Sequence, residues 1–397
     1  MNKMYLFAVP LLLVTLSFVT GAEKINLKKS SSEHWSVDIG KTSFRTNVSL
    51  SPSYLIIGSN GDNYRDAAIT DNRNGIHVIN RKTGKRIRNF ANESFGDLDV
   101  NGTLIYKNRI YFGNDNDEFI CSDFHGHIKY SIPVSGDVES EAVIINRYGK
   151  DLMVFGTEAG ELRAINPING KTVWQHFHKD FSGWKMGDNR LVFKVKTHFS
   201  TTYLFLRKPL VKDLNLDGIG DLIYLIQGDF YAVNGKDGEL LYQFALTEDY
   251  EDWSDPSVLH NACWNAESIF FTKTNSGQYT LTIPKYSYRP VPNTNRTDGY
   301  KFHLVQFDLN GTVLEKRMIE EKVEADHFTR LSNTNIYASG DKIFQFDEHL
   351  KLISKTSIEK IDEVNEAYFP YFISDQLIEI DTHKCMMLLC EYQDLIL

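Results

Sequence analysis

The stretch "GELRAINPINGKTVWQHF", Gly160 to Phe177, alternates apolar and polar side chains, turns at Asn169-Gly170, and alternates again. Alternation with period two marks a half-buried strand, and Asn-Gly supplies the positive φ that a tight hairpin turn needs. The segment reads as a β-hairpin. Five more segments follow its plan: "GIHVINRKTGKRIRNF" from Gly75, "DEFICSDFHGHIKYSI" from Asp117, "GDFYAVNGKDGELLYQFAL" from Gly228, "YKFHLVQFDLNGTVLEKRMI" from Tyr300 and "GDKIFQFDEHLKLISKTSI" from Gly340. In each, a short strand ends in Asn or Asp, a turn follows, usually with Gly (Gly84, Gly126, Gly170, Gly238, Gly311), and a second strand leaves it.

Outward from these hairpins the pattern extends. Another strand ending in Gly precedes most of them, as in "YLIIGS", "RIYFGN", "LMVFGT", "LIYLIQG" and "NIYASG". A further apolar strand precedes that one, clearest in "EAVII" at 141–145. Four strands per unit, repeating about every forty residues, are the mark of propeller blades. Near the end, "YFPYFIS", "QLIEID" and "CMMLLCEY" supply three strands of a further blade, and "HWSVDI" at 34–39 supplies an outer strand with nothing before it. Pairing those two ends closes the ring and removes an exposed edge. The expected fold is all-β: a single propeller of seven four-stranded blades over residues 34–397, closed by an N-terminal strand.

The run "RAINPINGKTVWQHF" resembles PQQ-like (quinoprotein-type, BamB-like) propeller repeats, and "VKDLNLDGIGDLIYLIQGDFYAVNGKDGEL" is similar to FG-GAP/VCBS repeats. The resemblance covers nearly all the blades. It implies the fold strongly and function weakly, because one fold hosts many functions.

"DLNLDGIGD" places oxygen-bearing side chains at Asp213, Asn215, Asp217 and Asp221, with Gly218 at the bend. Calcium takes six to eight hard oxygen ligands, and alternating acids in a loop point them at one ion. The carbonyl of Ile219 is the fifth expected ligand. An EF-hand would need Glu at the twelfth position, where Tyr224 stands. The loop instead matches the calcium loop of FG-GAP repeats, D-x-[DN]-x-D-G-x-x-D, at these four positions; there it joins the first two strands of a blade. The expected ion is structural. "DLDVNG" from Asp97 starts alike but has Ile105 at the closing position, so no second site is expected there.

The first residues predict export. Lys3 precedes an apolar run from Met4 to Val19, and Thr20-Gly21-Ala22 offers small residues for cleavage, so 1–22 reads as a signal peptide and 23–33 as a linker. The expected location is secreted or periplasmic, with no transmembrane segment after cleavage. About 375 residues remain, with 42% hydrophobic and 13% aromatic residues, ample for a core. A net charge of −9 argues against nucleic acid or an anionic membrane surface as partner. Cys121, Cys263, Cys385 and Cys390 are scattered; the last two lie five residues apart in one strand, ~16 Å, beyond disulfide reach. Sequons at Asn47, Asn92, Asn101, Asn295 and Asn310 do not establish a eukaryotic source.

No G-x-S-x-G, H-E-x-x-H or phosphate-binding Gly loop occurs. No two cysteines are adjacent, whereas PQQ-dependent dehydrogenases of the resembled family typically carry a vicinal Cys-Cys pair, so PQQ is not expected as cofactor. His176 and His178 share a face of one strand without a visible third metal ligand. The reading is a monomeric, non-enzymatic binding or assembly scaffold for a protein or carbohydrate; the alternative is a secreted propeller enzyme, a polysaccharide lyase, glycosidase or quinoprotein dehydrogenase. Long loops on a rigid scaffold carry function. Four are expected on one face, at 60–74, 178–208, 247–257 and 272–300. Trp184, Tyr250, Trp253, Asp252 and Asp255 are the expected ligand contacts, flanked by acids at Asp97, Asp99, Asp115, Asp117, Glu118, Asp137, Glu139 and Glu141.

Overall fold

A computed structural model describes residues 28–40, 42, 46–61, 73–90, 99–177, 208–226, 229–246, 259–262, 269–290, 297–320, 329–330, 336–339, 342–347, 349–357, 371–373, 376–381 and 386–393. The described residues form seven antiparallel sheets. Blade 1 comprises β2 (Val48–Leu50), β3 (Tyr54–Asn60), β4 (Asn74–Asn80) and β5 (Arg86–Phe90). Blade 2 has β6 (Thr103–Tyr106), β7 (Arg109–Asn114), β8 (Glu118–Ser122) and β9 (Ile128–Pro133). Blade 3 has β10 (Val143–Arg147), β11 (Lys150–Gly156), β12 (Glu161–Ile165) and β13 (Thr172–Phe177); blade 4 has β14 (Leu210–Lys212), β15 (Asp221–Ile226), β16 (Asp229–Val233) and β17 (Leu240–Ala245).

Blade 5 holds β18 (Leu259–Ala262), β19 (Phe270–Lys273), β20 (Tyr279–Pro290), β21 (Thr297–Asp308) and β22 (Val313–Glu320). Blade 6 holds β23 (Thr329–Arg330), β24 (Ile336–Ser339), β25 (Lys342–Phe346) and β26 (Leu352–Ser357). Blade 7 is β27 (Tyr371–Ile373), β28 (Gln376–Asp381) and β29 (Met386–Gln393), completed by β1 (Lys28–Asp38) from the other end of the chain. β1 lies antiparallel to β29, in unbroken register from Trp35↔Leu389 to Asp38↔Met386. The ring is a seven-bladed propeller closed by an N-terminal strand, and that strand starts at Lys28, ahead of the His34 expected from sequence.

Hydrophobic layers lie between blades rather than at one centre. Ile56, Ile76 and Val78 of blade 1 pack on Ile110, Phe112 and Ile120 of blade 2. Tyr111, Phe119 and Cys121 meet Met153, Phe155 and Ile165 of blade 3, with Phe119 and Phe155 stacked at 4.0 Å between ring centroids. Val154, Leu162 and Trp174 meet Leu222, Tyr224 and Tyr231 of blade 4. Both faces of each inner strand are thus covered, which is why these strands read as continuous apolar runs such as "YLII". Close approach also fixes a small residue: a Cβ on Gly58 would stand 2.2 Å from the Val100 carbonyl oxygen of the next blade.

The recurring Asn or Asp is a turn cap. The side chains of Asn80, Asp123, Asn166, Asn234, Asp308 and Asp347 each accept from a backbone N–H two residues on, as Asx turns do. Five of these six turns are then clasped by a hydrogen bond from the preceding blade. Trp35 Nε1 donates to the Arg81 carbonyl (3.0 Å), Arg88 Nε to that of His125 (3.2 Å), Tyr130 Oη to that of Pro167 (3.0 Å) and Trp174 Nε1 to that of Gly235 (3.1 Å). The turn glycines leave room for these clasps; Gly84 has φ +65 and a Cβ there would stand 2.5 Å from the Trp35 ring. Arg317 repeats the contact at the Leu350 carbonyl, 2.7 Å.

Every outer strand from blade 1 to blade 6 carries a register shift at the same step, between Val78/Ile79, Cys121/Ser122, Ala164/Ile165, Ala232/Val233, Gln306/Phe307 and Gln345/Phe346 of its partner. The extra residues include Ile87, Val173, Leu314 and Ile353, all exposed. A bulge twists an edge away from further pairing, so this ring of exposed aliphatics belongs to edge protection.

One blade departs from the expected plan. Blade 5 has five strands, and much of the expected loop at 272–300 is a long hairpin: β20 and β21 pair from Thr280↔Asp308 to Pro290↔Thr297. Alternation continues through "YTLTIPKYSYRP", and Pro284, which reads as a breaker, falls between the stretch of β20 paired to β19 and the stretch paired to β18. At that break one edge of β20 has no ladder to lose.

Candidate functional site

The acidic loop lies between β14 and β15, at the end of blade 4 that also carries the β16–β17 turn. Asp213 accepts from the amides of Asp217 (3.2 Å) and Gly218 (3.0 Å). Asn215 Oδ1 accepts from Asp217 N (3.0 Å), and Asp217 Oδ1 from Ile219 N (2.9 Å). Leu216 takes φ 63 and Gly218 φ 85, which folds the loop back on itself. Asp221 is fully buried; it accepts from Leu214 N at 2.8 Å and from Gly235 N at 3.4 Å, tying the loop to the neighbouring turn. Burial, aided by the nearby Asp217 charge, pushes its carboxyl up to about 6 despite those amides.

An all-oxygen donor set suits calcium. As folded, the donors face the loop's own amides, and among the described residues no three His, Cys, Asp or Glu side chains form a group that could hold one ion. Asp213, Asn215, Asp217, the Ile219 carbonyl and Asp221 would have to present their remaining lone pairs to an ion.

At the opposite end of the blades a polar belt runs across the first strands. Asn47 of blade 1 accepts from Thr103 N (2.6 Å) and donates to the Thr103 carbonyl (2.9 Å) and to Glu141 of blade 3. Asn101 donates to Glu139, Asn74 to Asp99 at 2.7 Å, and Lys208, just before β14, pairs with Glu141. This corrects one expectation. Asp99 and Glu139 are buried, 5% and 3% exposed, so they are internal acceptors joining blades and not part of an acidic surface. Burial of an acid requires such partners, and these come from neighbouring blades. Asn101, also buried, is one of the sequons.

Trp184, Tyr250, Trp253, Asp252 and Asp255 lie outside the described residues, as do the expected signal peptide, His178, Cys263 and Cys385. His176 Nε2 meets the Asp237 carbonyl at 2.8 Å, another contact between blades. Cys121 is a buried free thiol, pushed up by burial and so a poor nucleophile. His77 was not singled out from sequence. It is buried between the Arg73 carbonyl (2.9 Å) and Arg86 (3.5 Å), beside the Arg73–Asp38 pair that joins blade 1 to β1. Burial lowers its pKa to about 4.

Sheet topology and clasped turns define a seven-bladed all-β propeller closed by its N-terminal strand. No family model matches the chain, and no curated protein matches it. Among solved structures it is similar to BamB from Moraxella catarrhalis, with a TM-score of 0.48 and 11% identity, over 91% of this chain and 99% of that one. Likeness at that level assigns no function.

Proposed function

We propose that the protein is an exported, calcium-stabilised propeller that acts as a non-enzymatic binding or assembly scaffold for a protein or carbohydrate. The observation that carries this reading is how its polar groups are used. Asn47, Asn101, Asn74 and Lys208 hold the acids of other blades, while indole and phenol groups clasp the next blade's turn. Polar groups spent in this way stiffen the ring, and a stiff ring is what holds long loops in a fixed constellation. Ligand contact is assigned to Trp184, Tyr250, Trp253, Asp252 and Asp255; Trp and Tyr are the residue types that dominate interface energetics, and the acids beside them would steer a basic ligand.

The test is capture of ligand from native extracellular fluid by the immobilised protein. The Trp184→Ala/Trp253→Ala double variant should retain its melting temperature and lose the captured species. A basic protein ligand should associate more slowly as salt rises, while a sugar stacked on the indoles should not. Equal capture by the double variant would remove these residues from the ligand site.

A further inference from the structure

The two most exposed large apolar side chains among the described residues sit on blade 3: Tyr148 at 70% and Ile168 at 64% exposure. Tyr148 tips the turn from β10 to β11 and Ile168 the turn from β12 to β13, and in an antiparallel meander both turns emerge at one end of the sheet. Blade 2 joins them. Arg109 donates to the Ile168 carbonyl at 3.0 Å, and Lys107 pairs with Asp151 of β11 at 2.8 Å. Asn146 donates to that same Asp151 at 3.0 Å and accepts from Gly149 N, beside Tyr148.

Cations surround the two tips. Lys107, Lys150 and Lys171 are exposed, Arg109 and Arg147 partly so, and Asp151 is held by Lys107. In a chain of net charge −9 this is a local reversal of sign; the expectation from net charge, which spoke against an anionic surface, averages over it. On the far side the acids of the 213–221 loop bound the patch.

Tyr148 takes φ 52 as the first of the two turn residues between the paired Arg147 and Lys150, where a two-residue hairpin asks for positive φ, as Lys107 does in blade 2. Bulky residues rarely take that conformation. Leu350 takes a similar φ of 57 but is buried, and its carbonyl receives Arg317. Tyr148 gains no such packing at 70% exposure.

We infer that this end of blades 2 and 3 docks on an anionic lipid surface, with Tyr148 and Ile168 entering the headgroup region and Arg147, Lys150 and Lys171 facing the phosphates. The apolar groups stand on convex turn tips rather than in a groove, which suits insertion into a soft interface. An aromatic with a polar tip, an aliphatic and flexible cations are the residue types that interfaces hold. The inference does not rest on the ligand contacts proposed above.

The test is co-sedimentation of the purified protein with vesicles of phosphatidylcholine alone or with about one third phosphatidylglycerol. Binding is expected only to the anionic vesicles, and it should fall at least ~10-fold when ionic strength rises from ~0.05 to ~0.5 M. Lys150→Glu/Lys171→Glu should lower partition ~10-fold or more. Tyr148→Asn/Ile168→Ser should lower it by a similar factor, with the melting temperature kept, since Asn tolerates positive φ. No binding to anionic vesicles at low salt overturns the inference, as does equal binding by both variants. Binding to polyglutamate without binding to vesicles would assign the face to an acidic protein and overturn it too.

Discussion

Replacing Trp174 with Ala removes an indole that is 8% exposed and donates to the Gly235 carbonyl at 3.1 Å. Truncating a buried Trp costs about 3–5 kcal/mol. Leaving the buried Gly235 carbonyl without its donor adds about 1 kcal/mol, giving a total near 5 kcal/mol. Unfolding entropy of ~2.1 cal/mol/K per residue over this chain is about 0.8 kcal/mol/K, so the midpoint should fall by about 6 °C. Trp174→Phe keeps most of the packing and loses the hydrogen bond, and should fall by about 2 °C. Val173 next door is the exposed bulge residue, and Val173→Ala should shift the midpoint by under about 1 °C. Thermal melts followed by circular dichroism read all three. A Trp174→Ala midpoint indistinguishable from that of Val173→Ala would refute the clasp between blades 3 and 4.

Two further outcomes concern pH and metal. His77 is held near 4 in the fold against 6.5 when free, so the unfolded chain binds more protons between those values. Stability should drop by about 3 kcal/mol as pH falls from 6.5 to 4, and His77→Gln should flatten that part of a pH series of urea melts; an unchanged slope would remove His77 as its cause. Asp221 has the opposite sign: its pKa of about 6 lies above the free value of 3.8, so stability should decline, by about 3 kcal/mol, as pH rises through that window without calcium. Millimolar calcium should raise the melting temperature at pH 7 through linkage, and Asp217→Ala should abolish the rise; a wild type indifferent to both calcium and chelator would argue against the ion.

What sequence made legible was local. Asn or Asp followed by a Gly turn marked the hairpins because those residues make the turn by themselves, as Asn166 and Gly170 do. The closing strand was legible from "HWSVDI", an outer-strand pattern with no blade before it. What was missed depends on distant neighbours. Nothing near Glu139 or Asp99 in the chain says that Asn101 and Asn74 will bury them. Pro284 concealed the β20–β21 hairpin, since its tolerance rests on where β18 and β19 stop. Tyr148 and Ile168 had a faint signal, apolar residues at turn tips, but their shared end of blade 3 follows from the strand pairing and not from their places in the chain. The acidic loop was legible as donor chemistry, while the turning of its carboxylates onto loop amides was not.

The central claim, a ring closed by β1 against β29, is tested most directly by a cross-link. Ser36 lies opposite Leu388 in the unbroken part of the register. Directly opposed residues in antiparallel strands have Cα atoms about 4.5–5.5 Å apart, within the range a disulfide spans. In the Ser36→Cys/Leu388→Cys variant, mild oxidation of the folded monomer should yield a peptide joining the two positions by mass spectrometry, and Ser36→Cys with Met386→Cys should yield far less. A folded, oxidised monomer in which the two introduced thiols remain unlinked, or link no better than the misregistered pair, would contradict the closure.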